Sequence, residues 1–242
     1  MKTRLLAPLL LFAAVLAASA PVELPVRWSA HYAFEEIGDK APDVSSSSVK
    51  GEAKHDARNH GAKSVEGHHG KGIRLDGKSW LAIEGFRGGR GFAVAAWIRT
   101  SHSGQAQYIV SKGNNYEGSF YLRLQKDGRP RTAMLPVDNL NAIVVEGDYP
   151  VNDGKWHHVA GMMDGRELTL YVDGRLAGSL PFSMGRTVTL PEYKRLTWIG
   201  SFDIPEDDGE PNAAFFVGDM DEIRLLDGPV SRETLASWAQ RR

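Results

Sequence analysis

The chain has 242 residues and a formal net charge of −1, with 29 lysines and arginines against 30 aspartates and glutamates. This length suits one globular domain of the larger all-β kind, and the near-neutral balance gives no electrostatic case for nucleic-acid binding. The chain has no cysteine, so it must be stabilised by burial of its core, with the help of a metal ion if one binds, and not by disulfides.

Residues 1–20 are predicted to be a secretory signal peptide. Lys2 and Arg4 form a positive amino-terminal region, an apolar run follows, and residues 18–20 supply small side chains for cleavage. The apolar run is too short for an ordinary transmembrane helix; an uncleaved membrane anchor is the alternative. We therefore expect a bacterial protein that is secreted or periplasmic, with residues 21–242 as one domain and no membrane span after signal cleavage.

The first predicted strand spans residues 30–36, where Tyr32 and Phe34 fall on the same side as Ala30. Residues 37–71 follow as a long polar stretch with few apolar side chains. A stretch of this length without secondary structure is unusual inside a compact domain. We interpret it as a long loop that is functional or disordered.

Short apolar runs with turn residues between them predict further strands. These runs cover residues 72–77, 80–84, 92–100, 108–112, 120–125, 131–135, 141–146, 196–201 and 215–225. Ser231 is typical of a helix N-cap, so a last helix is expected over residues 232–240. Its Leu235 and Trp238 lie three positions apart and can dock together on the strands.

An antiparallel meander is predicted between these runs, with strands at residues 156–163, 167–172 and 175–180. The connections are two Asp-Gly pairs at residues 164–165 and 173–174. Asp-Gly is a favoured two-residue hairpin turn because both positions tolerate positive φ. One meander needs a second layer to cover it.

Several of these segments resemble motifs of one family. They are Phe-Ala-Val-Ala-Ala-Trp-Ile at residues 92–98, Trp-His-His-Val-Ala at 156–160, Leu-Tyr-Val-Asp-Gly at 170–174, and the acidic closing run at 215–225. Together they resemble the laminin-G-like jelly-roll domains of the concanavalin A-like lectin/glucanase superfamily, which are related to the pentraxins. The resemblance covers the chain from about residue 30 to its end. It implies an all-β fold, a two-sheet antiparallel jelly-roll sandwich with a short C-terminal helix.

Glucanases with this fold carry their catalytic carboxylates on one strand, in a Glu-x-Asp-x-Glu pattern. Residues 206–210 have that bare spacing, but Pro205 and Pro211 flank them. Because proline cannot donate to a sheet ladder, we interpret this segment as an acidic loop. No catalytic residue is predicted, and the protein is not expected to be an enzyme.

The closing run carries acidic side chains inside a predicted strand. Asp219 and Asp221 share a face, and alternation places Glu222 on the other face. Acidic residues are unfavoured in strands, so they need a partner. The alternatives are a cation, backbone N–H groups or Arg224.

The resemblance implies a structural calcium ion as one such partner. Its predicted ligands are Glu35, Asp43 and Asp221, and carbonyl oxygens of residues 45–48 would complete the six to eight oxygens that calcium requires. The alternative is a carboxylate that is hydrogen-bonded or paired with arginine.

Contact with a ligand is predicted in loops, because tryptophans inside strands, such as Trp97 and Trp156, are expected to be core residues. Amide, hydroxyl and carboxylate groups that suit sugar hydroxyls are carried by Asn114, Asn115, Tyr116, Asp203 and Asn212.

The function implied by the resemblance is that of a secreted or periplasmic, non-catalytic binding module. Its expected partner is a carbohydrate or another extracellular polymer. The alternative is a protein-interaction or adhesion module without sugar affinity, whose partner is another extracellular protein. A third alternative is a polysaccharide-cleaving enzyme of the same superfamily.

Overall fold

The structure is a computed structural model that describes residues 29–45, 54–86, 91–113, 119–135, 141–181, 196–202 and 214–240. The predicted signal peptide lies outside the described residues.

The described residues form strands and one short helix. In chain order these are β1 (Ser29–Tyr32), β2 (Lys40–Ala41), β3 (Ala57–His60), β4 (Lys63–Glu66), β5 (Lys71–Asp76), β6 (Trp80–Ile83), β7 (Phe92–Arg99), β8 (Gln107–Lys112), β9 (Phe120–Leu124), β10 (Pro130–Met134), β11 (Ile143–Glu146), β12 (Trp156–Met163), β13 (Glu167–Val172), β14 (Arg175–Pro181), β15 (Thr197–Ile199), β16 (Val217–Leu226) and α1 (Arg232–Trp238).

The strands form two antiparallel sheets that pack face to face, which confirms the predicted fold class. The first sheet has the order β14-β13-β12-β7-β16-β5-β4, and β1 also pairs with β16. The second sheet has the order β11-β10-β9-β8-β15-β6-β3-β2. β16 is central in the first sheet: its first half pairs with β5, its second half with β1, and its other edge with β7.

Alternation along β7 separates the core from the outer face of the first sheet. Phe92 and Ile98 are fully buried between the sheets. Ala93 and Ala95 point to the outer face, where they pack under Leu235 of α1. The small alanine side chains of β7 allow the helix to approach the sheet closely.

The helix begins as predicted. The side chain of Ser231 accepts a hydrogen bond from the backbone N–H of Thr234 (3.1 Å), which satisfies one of the free N–H groups of the first turn. Leu235 is fully buried, and Trp238 packs against the same apolar cluster. The predicted docking of these two side chains on the sandwich is confirmed.

The two inner faces approach closely at Gly161 of β12. A Cβ atom at this position would lie 2.5 Å from Oγ1 and 3.0 Å from Cβ of Thr132, on the opposite sheet. Only glycine fits this distance, so the residue sets the local spacing between the sheets.

The meander is present, with β12 and β13 at the predicted positions, but its two turns differ. Val172 pairs with Arg175, and Asp173 and Gly174 both have positive φ (49° and 76°), as a two-residue hairpin turn requires. At the other turn only Gly165 has positive φ. There the carboxylate of Asp164 accepts N–H bonds from the two residues that follow Gly165. The N–H of Asp164 donates to the carbonyl of Glu167 (3.3 Å), so the two turn residues are 165 and 166, one position later than predicted.

The interpretation of residues 37–71 as one long loop is wrong, because β2, β3 and β4 lie within it. β2 and β4 are the edge strands of the two sheets, and most of the side chains of β4 are exposed. An edge strand with an exposed side needs no apolar alternation, and polar side chains there discourage pairing with other chains.

The first strand is shorter than predicted. β1 ends at Tyr32, and Phe34 has a φ of 54°, which an extended strand does not allow. The aromatic alternation of Tyr32 and Phe34 therefore continues into the core without continuing the strand.

Candidate functional site

Asp219 of β16 is held by two guanidinium groups on the outer face of the first sheet. Its Oδ1 lies 2.7 Å from Nε of Arg74, and its Oδ2 lies 2.7 Å from Nη2 of Arg99. Burial opposes ionisation of Asp219, but the bonds from Arg74 and Arg99 keep its pKa below the usual value. The charge of this carboxylate is thus neutralised by arginines on the two neighbouring strands. Its role is structural.

Asp221 is fully buried and accepts backbone N–H bonds. Its Oδ2 accepts from His69 (2.8 Å) and its Oδ1 from Glu222 (2.7 Å). Burial raises the pKa of this carboxyl to about 7, although the N–H donors oppose the shift. A Cβ at Gly67 would lie 2.6 Å from Oδ2, so the turn between β4 and β5 docks onto Asp221 only because glycine stands there.

Glu222 does not point away from its acidic neighbours as alternation predicted. A register irregularity lies between Asp221 and Arg224, and Glu222 has a φ of 48°. This bulge brings the Glu222 carboxylate to His31 of β1 (2.9 Å) and to Arg224. Two of the predicted partners of the acidic residues are therefore present. Backbone N–H groups bond to Asp221, and Arg224 pairs with Glu222.

The other two predicted calcium ligands lie elsewhere. Asp43 accepts backbone N–H bonds from His31 (3.0 Å), Ser45 (2.8 Å) and His55 (3.1 Å). The exposed Glu35 accepts one bond from the N–H of Lys71 (3.3 Å). Glu35 thus contacts the β4–β5 turn that also contacts Asp221, whereas Asp43 ties the start of the chain to residue 55.

Within the described residues, no group of three or more histidine and acidic side chains is placed to hold a metal ion. The oxygens of Asp43 and Asp221 accept backbone N–H donors. Residues 46–48, which were expected to add carbonyl oxygens, lie outside the described residues. Calcium binding stays a prediction.

All five predicted ligand residues (Asn114, Asn115, Tyr116, Asp203 and Asn212) also lie outside the described residues. Their flanks are described. Gly113 and Ser119 follow β8 and precede β9. Phe202 stacks on Tyr108, with ring centroids 4.5 Å apart, and the carbonyl of Ala214 accepts from the N–H of Tyr108 (3.2 Å). The flanks of the two predicted loops therefore lie at opposite ends of β8.

A group of aromatic and guanidinium side chains, which we call the tyrosine–arginine cluster, lies on the outer face of the second sheet. It consists of Tyr108, Tyr121, Arg123 and Phe202. The guanidinium carbon of Arg123 lies 5.2 Å from the ring centroid of Tyr108 and 4.8 Å from that of Tyr121. The two tyrosine rings meet edge to face, 5.3 Å apart, and the Arg123 Nη1 donates to the Tyr108 hydroxyl (2.8 Å).

The cluster is buried at Tyr108 and partly accessible at Tyr121 and Arg123. Tyr108 is 6% exposed, whereas Tyr121 and Arg123 are only half-buried. Burial raises the pKa of Tyr108, and Arg123 opposes this shift, so the hydroxyl stays neutral at ordinary pH. The cluster therefore presents a fixed ring and a fixed guanidinium to the outside.

A rim of ion pairs adjoins the cluster on β10 and β11. Glu146 lies 2.7 Å from Nη2 of Arg131 and 2.8 Å from Nη2 of Arg129. Arg131 is the cross-strand neighbour of Arg123. The rim offers both hydrogen-bond donors and acceptors beside the Tyr121 ring.

Sequence reasoning missed this cluster, although part of the signal was visible. Phe120, Leu122 and Leu124 of β9 face the core, so Tyr121 and Arg123 must point outward. An aromatic residue and an arginine thus stand at consecutive outward positions of this strand. The contribution of Tyr108 and Phe202 depends on strand pairing that the sequence does not reveal.

The sequence model of a laminin G family, described as the concanavalin A-like lectin/glucanases superfamily, matches residues 75–236. The chain belongs to this family. The match covers strands of both sheets and most of α1, so the resemblance inferred from the sequence motifs is confirmed. No curated protein matches the sequence of this laminin-G-like domain.

Solved structures with similar folds include binding domains. Domain 4 of AbnA, a GH43 extracellular arabinanase from Geobacillus stearothermophilus, in complex with arabinotriose, has 16% identity and a TM-score of 0.63, and the match covers 89% of this chain and 99% of that one. The binding domain of Paraclostridial Mosquitocidal Protein 1 has 16% identity and a TM-score of 0.63, covering 88% and 51%. The binding domain of botulinum neurotoxin DC in complex with SialylT has 10% identity and a TM-score of 0.58, covering 82% and 47%.

This laminin-G-like domain spans about half the length of the two toxin chains. At these identities the likeness concerns the fold. Within the described residues, no helix has the length and apolar character needed to cross a bilayer.

Proposed function

We propose that this laminin-G-like domain is a non-catalytic module that binds carbohydrate through the tyrosine–arginine cluster. The observation that carries the proposal is the half-buried Tyr121 ring, which Arg123 holds at 4.8 Å beside the charged rim. Similar folds include an arabinanase domain in complex with arabinotriose and a toxin binding domain in complex with SialylT, which supports a sugar as ligand.

The physical argument rests on the two sides of a sugar ring. Its C–H face is apolar and packs on an aromatic ring, whereas its hydroxyl edge needs hydrogen-bond partners. Tyr121 supplies the ring, and the rim supplies donors on Arg131 and acceptors on Glu146. Because Arg123 and Tyr108 already fix Tyr121, binding orders few side chains, and such preorganisation favours affinity.

The acidic strand supports binding over catalysis. A retaining glycosidase needs two carboxylates about 5–5.5 Å apart that both reach the substrate. Asp219 is 3% exposed and Asp221 is 0% exposed. Asp219 is also neutralised by Arg74 and Arg99. Neither carboxylate is accessible to a polysaccharide chain.

The direct test is polysaccharide binding by affinity gel electrophoresis and calorimetry. Tyr121→Ala should weaken binding about fivefold, because one stacked ring contributes on the order of 1 kcal/mol. The matched control is Leu176→Ala, which removes an exposed apolar side chain from β14 on the other sheet and should leave binding unchanged. Equal affinity of Tyr121→Ala and the parent protein would rule out this surface.

The alternative partner is another extracellular protein. One similar structure is the binding domain of botulinum neurotoxin DC in complex with rat synaptotagmin II. An empty glycan array together with co-purification of a protein partner would favour this alternative. The enzyme alternative predicts polysaccharide cleavage that disappears in folded Asp219→Ala or Asp221→Ala variants.

The proposal includes export, because a polymer of the cell surface or medium is reached only there. The amino-terminal sequence of the protein recovered from periplasm and medium tests this: loss of about the first 20 residues supports the signal peptide, and an intact amino terminus on membranes supports the anchor.

A further inference from the structure

Among the described residues on the outer face of the second sheet, Arg123 differs from the neighbouring arginines because it has no counter-ion. Arg129 pairs with Asp127 (2.8 Å) and Glu146, and Arg131 pairs with Glu146. Within the described residues, no carboxylate contacts Arg123, whose contacts are the two tyrosine rings and the Tyr108 hydroxyl. Among the residues that the structure describes, the charge of Arg123 is therefore not balanced.

The donors of Arg123 are also incompletely used. Nη1 donates to Tyr108, and Nε is buried without an acceptor. No described residue accepts a hydrogen bond from Nη2. The part of the chain that the structure describes therefore provides no acceptor for the outer end of this guanidinium.

Two rings hold the guanidinium in place, which distinguishes Arg123 from an ordinary surface arginine. Tyr108 is itself stacked on Phe202, and Tyr121 meets Tyr108 edge to face. A mobile arginine loses side-chain entropy when it binds an anion, whereas this one is already ordered. A planar guanidinium matches the geometry of a carboxylate.

We propose that the cluster selects acidic sugars, with the carboxylate of a uronic acid on the Arg123 guanidinium and the sugar ring on Tyr121. This inference rests on the proposed function and specifies its substrate class. The rim does not repel such a ligand, because the charge of Glu146 is balanced by Arg129 and Arg131. An alternative role for Arg123 is purely structural, as a spacer between the two tyrosine rings.

The test compares polymers that differ only in charge. Polygalacturonate, alginate and hyaluronan are each paired with their fully methyl-esterified form, and affinity is measured at low and moderate salt. The parent protein should bind at least one acidic polymer about tenfold more tightly than its ester, equivalent to about 1.4 kcal/mol. In Arg123→Gln this preference should disappear, so that the acidic polymer and its ester bind with equal affinity.

The matched control is Arg58→Gln, which removes one positive charge from β3 of the same sheet, where Arg58 pairs with Glu84. This variant should keep the preference. An equal loss in both variants would indicate diffuse attraction of a polyanion and would overturn the proposal. So would an unchanged preference in an Arg123→Gln protein with an unchanged melting temperature, which would indicate the purely structural role.

The outcomes separate this inference from the proposed function. Equal binding of the parent protein to the acid and ester of every pair overturns the acidic selectivity and leaves carbohydrate binding in place. If the protein binds no polymer of any pair and no neutral polysaccharide, both the acidic selectivity and the proposed function are overturned.

Discussion

Acidification should destabilise the protein through His158, whose ring is buried under Trp97. His158 is 1% exposed, its Nδ1 has no hydrogen-bond partner, and its ring meets that of Trp97 edge to face at 5.5 Å. Burial lowers the pKa of His158 to about 4, with Arg224 and His68 acting in the same direction and Asp173 opposing.

The magnitude follows from the difference between the folded and unfolded states. An unfolded histidine binds its proton with a pKa of about 6.5, so the unfolded chain gains this proton first as the pH falls. The contribution of neutral His158 is fully present above pH 6.5 and is lost as the pH falls toward 4. Each tenfold difference in proton affinity is worth about 1.4 kcal/mol, which gives a loss on the order of 3 kcal/mol by pH 4.

The assay is urea unfolding of the parent protein and His158→Gln at several pH values from 7.5 to 4. Asp221 is present in both proteins and has the opposite effect, because its raised pKa favours the folded state as the pH falls. The difference between the two free energies of unfolding removes this contribution. That difference should be constant above pH 7 and should move in favour of the variant below pH 6.5. A difference independent of pH would refute the reasoning.

Three further predictions concern packing, charge and metal. Gly161→Ala should lower the free energy of unfolding by about 1–3 kcal/mol, since the new methyl group meets Thr132 on the opposite sheet. Thr132→Ala in the same chain should restore part of the loss. Additive effects of the two substitutions on the free energy of unfolding, measured with denaturant, would contradict this contact. Asp219→Asn should lower the free energy of unfolding by about 2 kcal/mol, which is less than the loss from breaking a fully buried ion pair, because Arg74 and Arg99 are partly exposed and water can solvate them. An unchanged melting temperature would show that the ion pairs of Asp219 do not stabilise the protein. If the predicted calcium ion binds, a chelator should lower the melting temperature, and an unchanged value with no metal by elemental analysis would remove the prediction.

Local pattern was enough to place the elements whose partners lie nearby in sequence. The predicted bounds of β12 and β13 are right because alternation acts over a few residues. The N-cap Ser231 likewise marked the start of the helix. The fold class followed from these local signals together with the family motifs.

The errors arose where the conformation depends on distant contacts. Phe34 and Glu222 have positive φ, which neither residue type favours, and such backbone persists only where the surrounding structure holds it. For Glu222 the holding contacts are His31 and Arg224. A bulge of this kind reverses the side on which an acidic residue lies, so alternation alone misplaced it.

The candidate site was the part least accessible to sequence reasoning. Loops were favoured as ligand contacts because they carry polar residues, whereas the cluster lies on strands. Tyr108 and Arg123 lie 15 positions apart in the sequence. They come together only because β8 pairs with β9. Cross-strand register therefore decides the composition of this surface.

The central position of β16 has a consequence for how the chain acquires its structure. β5 and β7 meet only through β16, and β1 pairs with it as well, joining residue 29 to residue 226. During synthesis the first sheet cannot close until the carboxy-terminal strand has left the ribosome. Pairing between such remote segments makes for slow folding.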